Sequence, residues 1–268
     1  MSSVPVVSLV LALLAVSTGA LGGLSLGMLG VGGSILVVPL LVYVMHVPPH
    51  LAIGTSTLAA TASGAWSLLA HARGGTVRWR HGGIYALASL LGAVIGARLG
   101  KATDSELLLA LLGVLMIGVA WLMLRGSRRA RGAARDLESR EQGWMLLRLG
   151  TMGLGIGALA ALVGVGGGFL TVPTLMFVTG MPLLNAVGTS LVAVTAVAGT
   201  TALSYASSHL VEWHIAALLV AGGLLGGYVG VKLAGILAAR RRTLTVLFSA
   251  VVALVGLYMV MRGLTRLL

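Results

Sequence analysis

Cysteine and acidic side chains are scarce in this chain, and each shortage excludes a class of function. Cysteine is absent, which excludes disulfide bonds, thiol catalysis and thiolate metal sites. The 268 residues include only six acidic ones. All six fall in loops or at the edges of apolar segments: Asp104, Glu106, Asp136, Glu138, Glu141 and Glu212. This placement argues against a carboxylate proton relay, a sodium site built on Asp or Glu, and a divalent-cation pathway.

Charged residues are also few, at 9% against 58% hydrophobic residues, and the mean hydropathy is +1.05. Such a chain has too little polar surface to cover a soluble globule of this length, so we expect an integral membrane protein. A helix of about 20 apolar residues crosses about 30 Å of hydrocarbon. The sequence predicts eight such spans, at 6–29, 51–70, 84–100, 107–124, 145–163, 184–207, 215–239 and 244–261.

The net charge of +12 would suggest nucleic acid as the partner of a soluble protein. Here the arginines are concentrated in loops, and six lie in the connector between the halves of the chain: Arg125, Arg128, Arg129, Arg131, Arg135 and Arg140. Short basic loops beside membrane spans stay in the cytoplasm and contact phospholipid headgroups. We therefore predict a cytoplasmic connector and the lipid bilayer as a partner, and no nucleic acid.

The chain is an internal duplication with an offset of 134 residues, half of its length. Residues 30–39 recur as 164–173, and the segment 52–56 recurs as 186–190. Further on, Trp79 recurs as Trp213 and Arg98 as Lys232, with no gap. We expect one transmembrane domain over 1–268, made of repeat 1 (1–124), a basic cytoplasmic linker (125–142) and repeat 2 (143–268).

Each repeat also holds a short apolar piece, at 34–45 and 168–179. Twelve helical residues reach about 18 Å, which is less than a full crossing. If these pieces are dead ends, each repeat has four crossings and the repeats are parallel; if they complete a crossing, each has five and the repeats are inverted.

The loop charges decide between these topologies. The inverted arrangement places two arginine clusters on the side of the connector: Arg73, Arg78 and Arg80, and Arg240, Arg241 and Arg242. The sequence thus predicts an all-α polytopic membrane protein with eight long helices, two short broken ones and inverted repeats. Both termini are expected outside, although Arg262 and Arg266 favour the other orientation.

Glycines interrupt each repeat just before the short piece. A backbone break at membrane depth leaves polar groups that cost several kcal/mol each in hydrocarbon unless protein or a polar cavity satisfies them. The helix that follows carries roughly half a positive charge at its N-terminus, so two such termini aimed at a shared centre suit a small anion. This predicts substrate contacts at Gly30, Gly32, Gly33, Ser34, Gly164, Gly166, Gly167 and Gly168. Close helix packing is the preferred explanation for Gly92, Gly96, Gly226 and Gly230.

Four hydroxyls and two cations complete the candidate site. Thr55, Ser56, Thr189 and Ser190 lie near the start of a long helix, where they can donate to an anion or bond to their own helix. Arg98 and Lys232 are matched cations inside a span; snorkelling is the first explanation, and attraction of the anion to the pathway is the other. His71, His81, His209 and His214 receive no proton role, and whether proton transport is coupled stays open. We expect no metal site and no cofactor.

The pattern G-V-G-G-[SG]-x-L-x-V-P, followed by A-[IV]-G-T-S, occurs twice and resembles the sulfite exporter TauE/SafE family of the toluene sulfonate uptake permease group. The resemblance covers nearly the whole chain. It implies a multi-pass transporter of the bacterial inner membrane for sulfur-containing oxyanions or organosulfonates such as sulfite. It identifies neither the substrate nor the direction of transport. Ser34 departs from the second copy, which has Gly168.

Three functions compete at this point. A secondary transporter that alternates access to a central anion site explains why the break occurs twice. A passive anion channel would use the same helix termini. An intramembrane hydrolase, suggested by the sequence Gly54-Thr55-Ser56, is disfavoured because a nucleophile has no reason to recur at the same register. We expect a transporter and not an enzyme; the coupling ion and the oligomeric state stay open.

Overall fold

The computed structural model of the protein describes residues 9–29, 34–129, 142–236 and 241–267. These ranges contain ten helices and no strand: α1 Leu9–Leu29, α2 Ser34–Tyr43, α3 Pro49–Arg73, α4 Trp79–Ala102, α5 Ser105–Arg129, α6 Gln142–Val163, α7 Gly168–Thr179, α8 Leu183–Ala206, α9 Trp213–Ile236 and α10 Arg241–Leu267. The prediction of eight long helices and two short ones is confirmed. Gly30, Gly32 and Gly33 lie outside the described residues, as do the side chain of Ser34 and residues 130–141 of the linker.

The surface of the bundle is apolar, as a bilayer requires. Five described helices are long and apolar enough to cross a membrane: Val10–Met28, Trp79–Ala102, Trp144–Val163, Leu183–Ala206 and Trp213–Leu233. Large apolar side chains on the outside are strongly exposed, including Phe177 at 77% and Leu203 at 74%. Exposure of this extent on many helices is typical of a lipid-facing surface. The protein is a polytopic membrane protein.

Prolines and a glycine set the limits of the short helices and their successors. Pro39 and Pro173 occupy the sixth position of α2 and α7, where each removes one backbone hydrogen bond. α7 ends at Gly180, whose φ of 64° is left-handed and whose N–H donates to the Met176 carbonyl. α8 begins directly after Pro182. These residues explain why the short apolar pieces stop before a full span.

Equivalent helices of the two repeats run in opposite directions. Near the start of α3, Gly54 packs against the Leu210 carbonyl just after α8, and near the start of α8, Gly188 packs against Thr76 just after α3. These two contacts require α3 and α8 to be antiparallel. Helices α5 and α10 are antiparallel as well, because Gly113 faces Val260 while Ile117 faces Gly256.

Antiparallel equivalent helices decide the topology. With four crossings per repeat, α3 and α8 would run in the same direction, so the parallel arrangement is excluded. Each repeat must therefore contain an odd number of crossings, so α2 and α7 each count as one and the repeats are inverted. The chain thereby builds a pseudo-two-fold axis that lies in the membrane plane.

Glycine rows hold the repeats together at two equivalent interfaces, α4 with α6 and α1 with α9. A Cβ on these glycines would collide with the backbone of the neighbouring helix. On α4, Gly92 and Gly96 face the carbonyls of Leu154 and Ala158; on α9, Gly222, Gly226 and Gly230 face the carbonyls of Val16, Ala20 and Leu24. The prediction that Gly92, Gly96, Gly226 and Gly230 serve close packing is confirmed.

The inverted topology gathers the basic loops at one end of the bundle. The loop between α3 and α4 shares this end with the ends of α5 and α9 and the starts of α6 and α10, and we call it the basic face. It carries Arg73, Arg78 and Arg80; Arg240 and the side chains of Arg241 and Arg242 lie outside the described part. The other end, which we call the opposite face, carries the α4–α5 and α8–α9 loops with Lys101, Asp104 and Glu212. That the basic face is cytoplasmic stays a prediction.

Candidate functional site

The predicted break is present in the second repeat. Gly164, Gly166 and Gly167 have φ values of 74°, 64° and 75°, a left-handed conformation that glycine adopts without steric cost. These residues are buried, and α7 begins at Gly168 with no side-chain cap among the described residues. The first N–H groups of a helix lack partners within the helix. The Leu170 and Thr171 N–H groups donate to the Gly167 carbonyl at 3.2 and 3.1 Å. The break therefore buries a helix N-terminus at which the N–H groups of Gly168 and Phe169 are the candidate donors.

The break lies toward the opposite face. Gly164 packs against the Ile53 side chain in the second turn of α3. α3 and α8 cross near Gly64, which faces Thr195. Ile53 is about ten residues from that crossing, or about 15 Å along the helix. The second break is thus away from the crossing of α3 and α8, and the first break lies outside the described residues.

Thr55 and Thr189 connect the two repeats through equivalent hydrogen bonds. The Thr55 Oγ1 accepts a hydrogen bond from the backbone N–H of Glu212 at 3.0 Å, and the Thr189 Oγ1 accepts one from the N–H of Arg78 at 3.0 Å. Both threonines are fully buried. We call these two hydrogen bonds the inter-repeat latches, because each ties a helix of one repeat to a loop of the other. One latch lies at each face.

The glycine that precedes each threonine makes the latch sterically feasible. Gly54 is in contact with the Leu210 carbonyl, and a Cβ at Gly188 would lie only 2.6 Å from the Thr76 Oγ1. At the basic face, the Asn185 Nδ2 adds a bond to the Thr76 carbonyl at 3.2 Å. The recurring Gly-Thr pair thus lets a loop approach the helix and then binds it.

The two candidate serines bond within their own helices. The Ser56 Oγ donates to the Ile53 carbonyl at 3.0 Å, and the Ser190 Oγ donates to the Val187 carbonyl at 2.8 Å. A hydroxyl oxygen that donates in this way still accepts, and its donor can switch to another acceptor. Among the hydrogen bonds of the described residues, none joins either serine to the loops that the threonines bind.

Ser56 also lines a cavity of about 20 Å³ between α1, α2, α3 and α9. The cavity runs along α3 from Ser56 to Ser63, close to the crossing with α8, and has room for about one water molecule. Its wall is uncharged: Gly19, Gly22, Gly23, Leu26, Val37, Ser56, Ala59, Ala60, Ser63 and Leu219. Glycine backbone and two serine hydroxyls supply the polar groups of this wall.

The two matched cations lie on the outside of the bundle. Arg98 and Lys232 are exposed, and the Lys232 Nζ lies 4.4 Å from the centre of the Tyr228 ring, within cation–π distance. This placement is typical of snorkelling side chains. Lys101, which the repeat pattern did not select, instead donates from its Nζ to the Ser204 carbonyl and the Ser208 Oγ, each at 3.0 Å, at the opposite face.

Tyr205 is a second residue that the sequence reasoning missed. Its side chain is fully buried, and its hydroxyl has no hydrogen-bond partner within the described ranges. The offset of 134 residues aligns it with His71, whose Nδ1 lies 3.0 Å from the Thr76 Oγ1 and whose Nε2 lies 3.5 Å from the Gly27 carbonyl. The sequence signal that could have identified Tyr205 is that both repeats carry a polar side chain at this register.

Comparison with known proteins gives a consistent result over nearly the whole chain. Residues 15–259 match the family described as Sulfite exporter TauE/SafE. A "Probable membrane transporter protein" of Xylella fastidiosa (strain 9a5c) is 42% identical over 249 residues, 92% of this chain and 94% of the relative. The "Probable membrane transporter protein YunE" of Bacillus subtilis (strain 168) is 29% identical over 272 aligned residues, 95% of this chain and 97% of the relative. No solved structure matches the chain.

Proposed function

The chain belongs to the sulfite exporter TauE/SafE family, and from this premise we propose that it is a secondary transporter of small sulfur-containing oxyanions or organosulfonates such as sulfite. The family and the names of the relatives identify a membrane transporter.

The chemistry of the cavity supports an anion as substrate. The wall beside Ser56 and Ser63 offers hydroxyls and glycine backbone but no carboxylate, and Asp104, Glu106 and Glu212 lie at helix ends or in loops. A cation would find no counter-charge there, whereas an anion can accept from hydroxyls. This uncharged cavity near the crossing of α3 and α8 is the observation that carries the proposal. The substrate then passes the second break, at Gly164 and Gly166–168, where the N-terminus of α7 favours negative charge.

The inter-repeat latches provide the gates. Both are formed in this structure, and we take the formed latch as the closed position of the gate at each face. Opening the opposite face separates Thr55 from Glu212, and opening the basic face separates Thr189 from Arg78. Because inverted repeats can exchange conformations, breaking one latch at a time gives two open states of opposite direction. Because the two latches break one at a time, this mechanism is that of a carrier and not of a passive channel.

We further propose that the protein lies in the bacterial inner membrane with its basic face in the cytoplasm. The relatives named above come from bacteria, and the arginines of the basic face follow the positive-inside rule. Both termini are then periplasmic.

The test is counterflow of sulfite, sulfate, thiosulfate and small sulfonates in proteoliposomes, with Ser56→Ala as the variant. Ser17→Ala is the matched control, because the Ser17 Oγ bonds to the Leu14 carbonyl in the same manner but is exposed on α1. Loss of one hydroxyl contact is expected to raise the KM of the transported anion by about fivefold for Ser56→Ala and to leave it unchanged for Ser17→Ala. Equal kinetics of the two variants would remove Ser56 from the pathway.

A further inference from the structure

The Tyr205 hydroxyl is buried without a partner, and this needs an explanation. It lies in an apolar cluster that includes Ile53, Val163, Val165 and Val211, and its side chain is 0% exposed. A buried hydroxyl that makes no hydrogen bond is destabilising, and phenylalanine would fill the same volume without that cost. The hydroxyl therefore costs the resting protein stability, which a role in another state would offset.

The hydroxyl lies at the end of α4, beside the last turn of α6 that precedes the second break. A Cβ at Gly100 would lie 3.0 Å from the Tyr205 hydroxyl, and the same position faces the carbonyl of Leu162, two residues before the break. A Cβ added to Gly54 would lie 3.1 Å from the Cβ of Tyr205. The residue before Gly54 is Ile53, which contacts Gly164. Tyr205 thus lies among the start of α3, the end of α4 and the break.

The charged groups around this end favour an anion. Lys101 follows Gly100 and donates to the Ser204 carbonyl, beside Tyr205. Three carboxylates lie at this face: Asp104 and Glu212 belong to exposed residues, and Glu106 belongs to a half-buried residue in the first turn of α5. None of them is fully buried, and Glu212 takes part in the latch through its backbone N–H. The buried N-terminus of α7 and the Tyr205 O–H are both donors, and neither has an acceptor among the described side chains.

We propose that the Tyr205 hydroxyl binds the oxyanion as it passes the second break, supplying a hydrogen-bond donor for substrate at the opposite face. This inference rests on the proposed function. When the Thr55 latch opens, the loop before α9 moves away and the hydroxyl becomes accessible; the oxyanion then provides the acceptor that the closed state lacks. The equivalent residue at the basic face, His71, already has partners, so the donor is specific to one face.

The experiment compares Tyr205→Phe with the wild type in sulfite counterflow and in thermal unfolding without anion. Loss of a hydrogen bond to a charged ligand is expected to raise the sulfite KM about tenfold, while the unfolding midpoint stays unchanged or rises. The matched control is Tyr85→Phe, since Tyr85 is also fully buried. The Tyr85 hydroxyl is near Thr171 and Thr174 on α7 but forms no hydrogen bond within the described residues. The control is expected to keep the wild-type KM.

The outcomes separate this inference from the proposed function. If the wild type transports sulfite and Tyr205→Phe has the same KM, the inference fails and the proposed function stands. A fall in the unfolding midpoint of Tyr205→Phe, or an equal rise of KM in Tyr85→Phe, would mark the hydroxyl as structural and overturn the inference. If the wild type transports none of the sulfur anions, the proposed function itself fails.

Discussion

Replacing Thr55 by valine removes the acceptor of one inter-repeat latch while nearly keeping the side-chain volume. The backbone N–H of Glu212, which donates to the Thr55 Oγ1 at 3.0 Å, is then left to find water as the loop moves. A hydrogen bond of this kind contributes about 1 kcal/mol net. Since 1.4 kcal/mol corresponds to a tenfold change in an equilibrium constant, the opening of the opposite face is expected to become about fivefold more frequent. Thr189→Val should do the same at the basic face.

The absence of cysteine makes a direct assay possible. Ser63→Cys introduces one thiol in the cavity wall near the crossing of α3 and α8. An impermeant maleimide, added to vesicles of either orientation, then reports from which face the cavity is reached. We expect Thr55→Val to accelerate labelling about fivefold from the opposite face only, and Thr189→Val to accelerate it about fivefold from the basic face only.

A matched control separates the latch from a general loosening of the bundle. The Thr200 Oγ1 on α8 donates only to the Ala196 carbonyl of its own helix in the described hydrogen bonds, so Thr200→Val is expected to leave labelling unchanged from both faces. The reasoning is refuted if each latch variant accelerates labelling equally from both faces, or if neither variant changes it.

Two further predictions concern packing and topology. Gly96→Leu is expected to destabilise the protein by about 3 kcal/mol or to prevent folding, because Gly96 is in contact with the backbone of Ala158. The control Gly118→Leu should keep the wild-type unfolding midpoint, because a Cβ at Gly118 would have nothing within 4 Å. Equal unfolding midpoints of the two variants would contradict the close packing of α4 against α6. Single cysteines at Arg80 and Asp104, which are exposed at the basic and the opposite face, should be labelled from the cytoplasm and the periplasm respectively; labelling of both from one side would contradict the inverted topology.

The gross architecture could be predicted from the sequence because the information is local or repeated. Runs of apolar residues fix the helices, the offset of 134 residues fixes the duplication, and the arginine clusters distinguish inverted from parallel repeats. Pairs such as Gly92 and Gly96 have helical spacing, so their role in packing was also predictable. Each of these signals depends on residues close in the chain or at one constant offset.

The latches depend on contacts that no local pattern contains. Thr55 and Glu212 are 157 residues apart. The duplication aligns Thr55 with Thr189, but the two threonines do not bond to each other. Each accepts a hydrogen bond from a loop of the other repeat. Only the antiparallel arrangement of α3 and α8 brings these groups together. The same arrangement places the second break away from the crossing of α3 and α8, and helices α3, α4 and α8 bring Tyr205 beside it.

Counterflow of radiolabelled sulfite into proteoliposomes of the wild-type protein tests the central claim most directly. We expect saturable uptake that requires unlabelled sulfite inside, since a carrier exchanges substrate between two open states. Uptake that rises linearly with sulfite concentration and does not depend on internal sulfite would identify a passive channel, and no uptake of any sulfur oxyanion or sulfonate would contradict the account altogether.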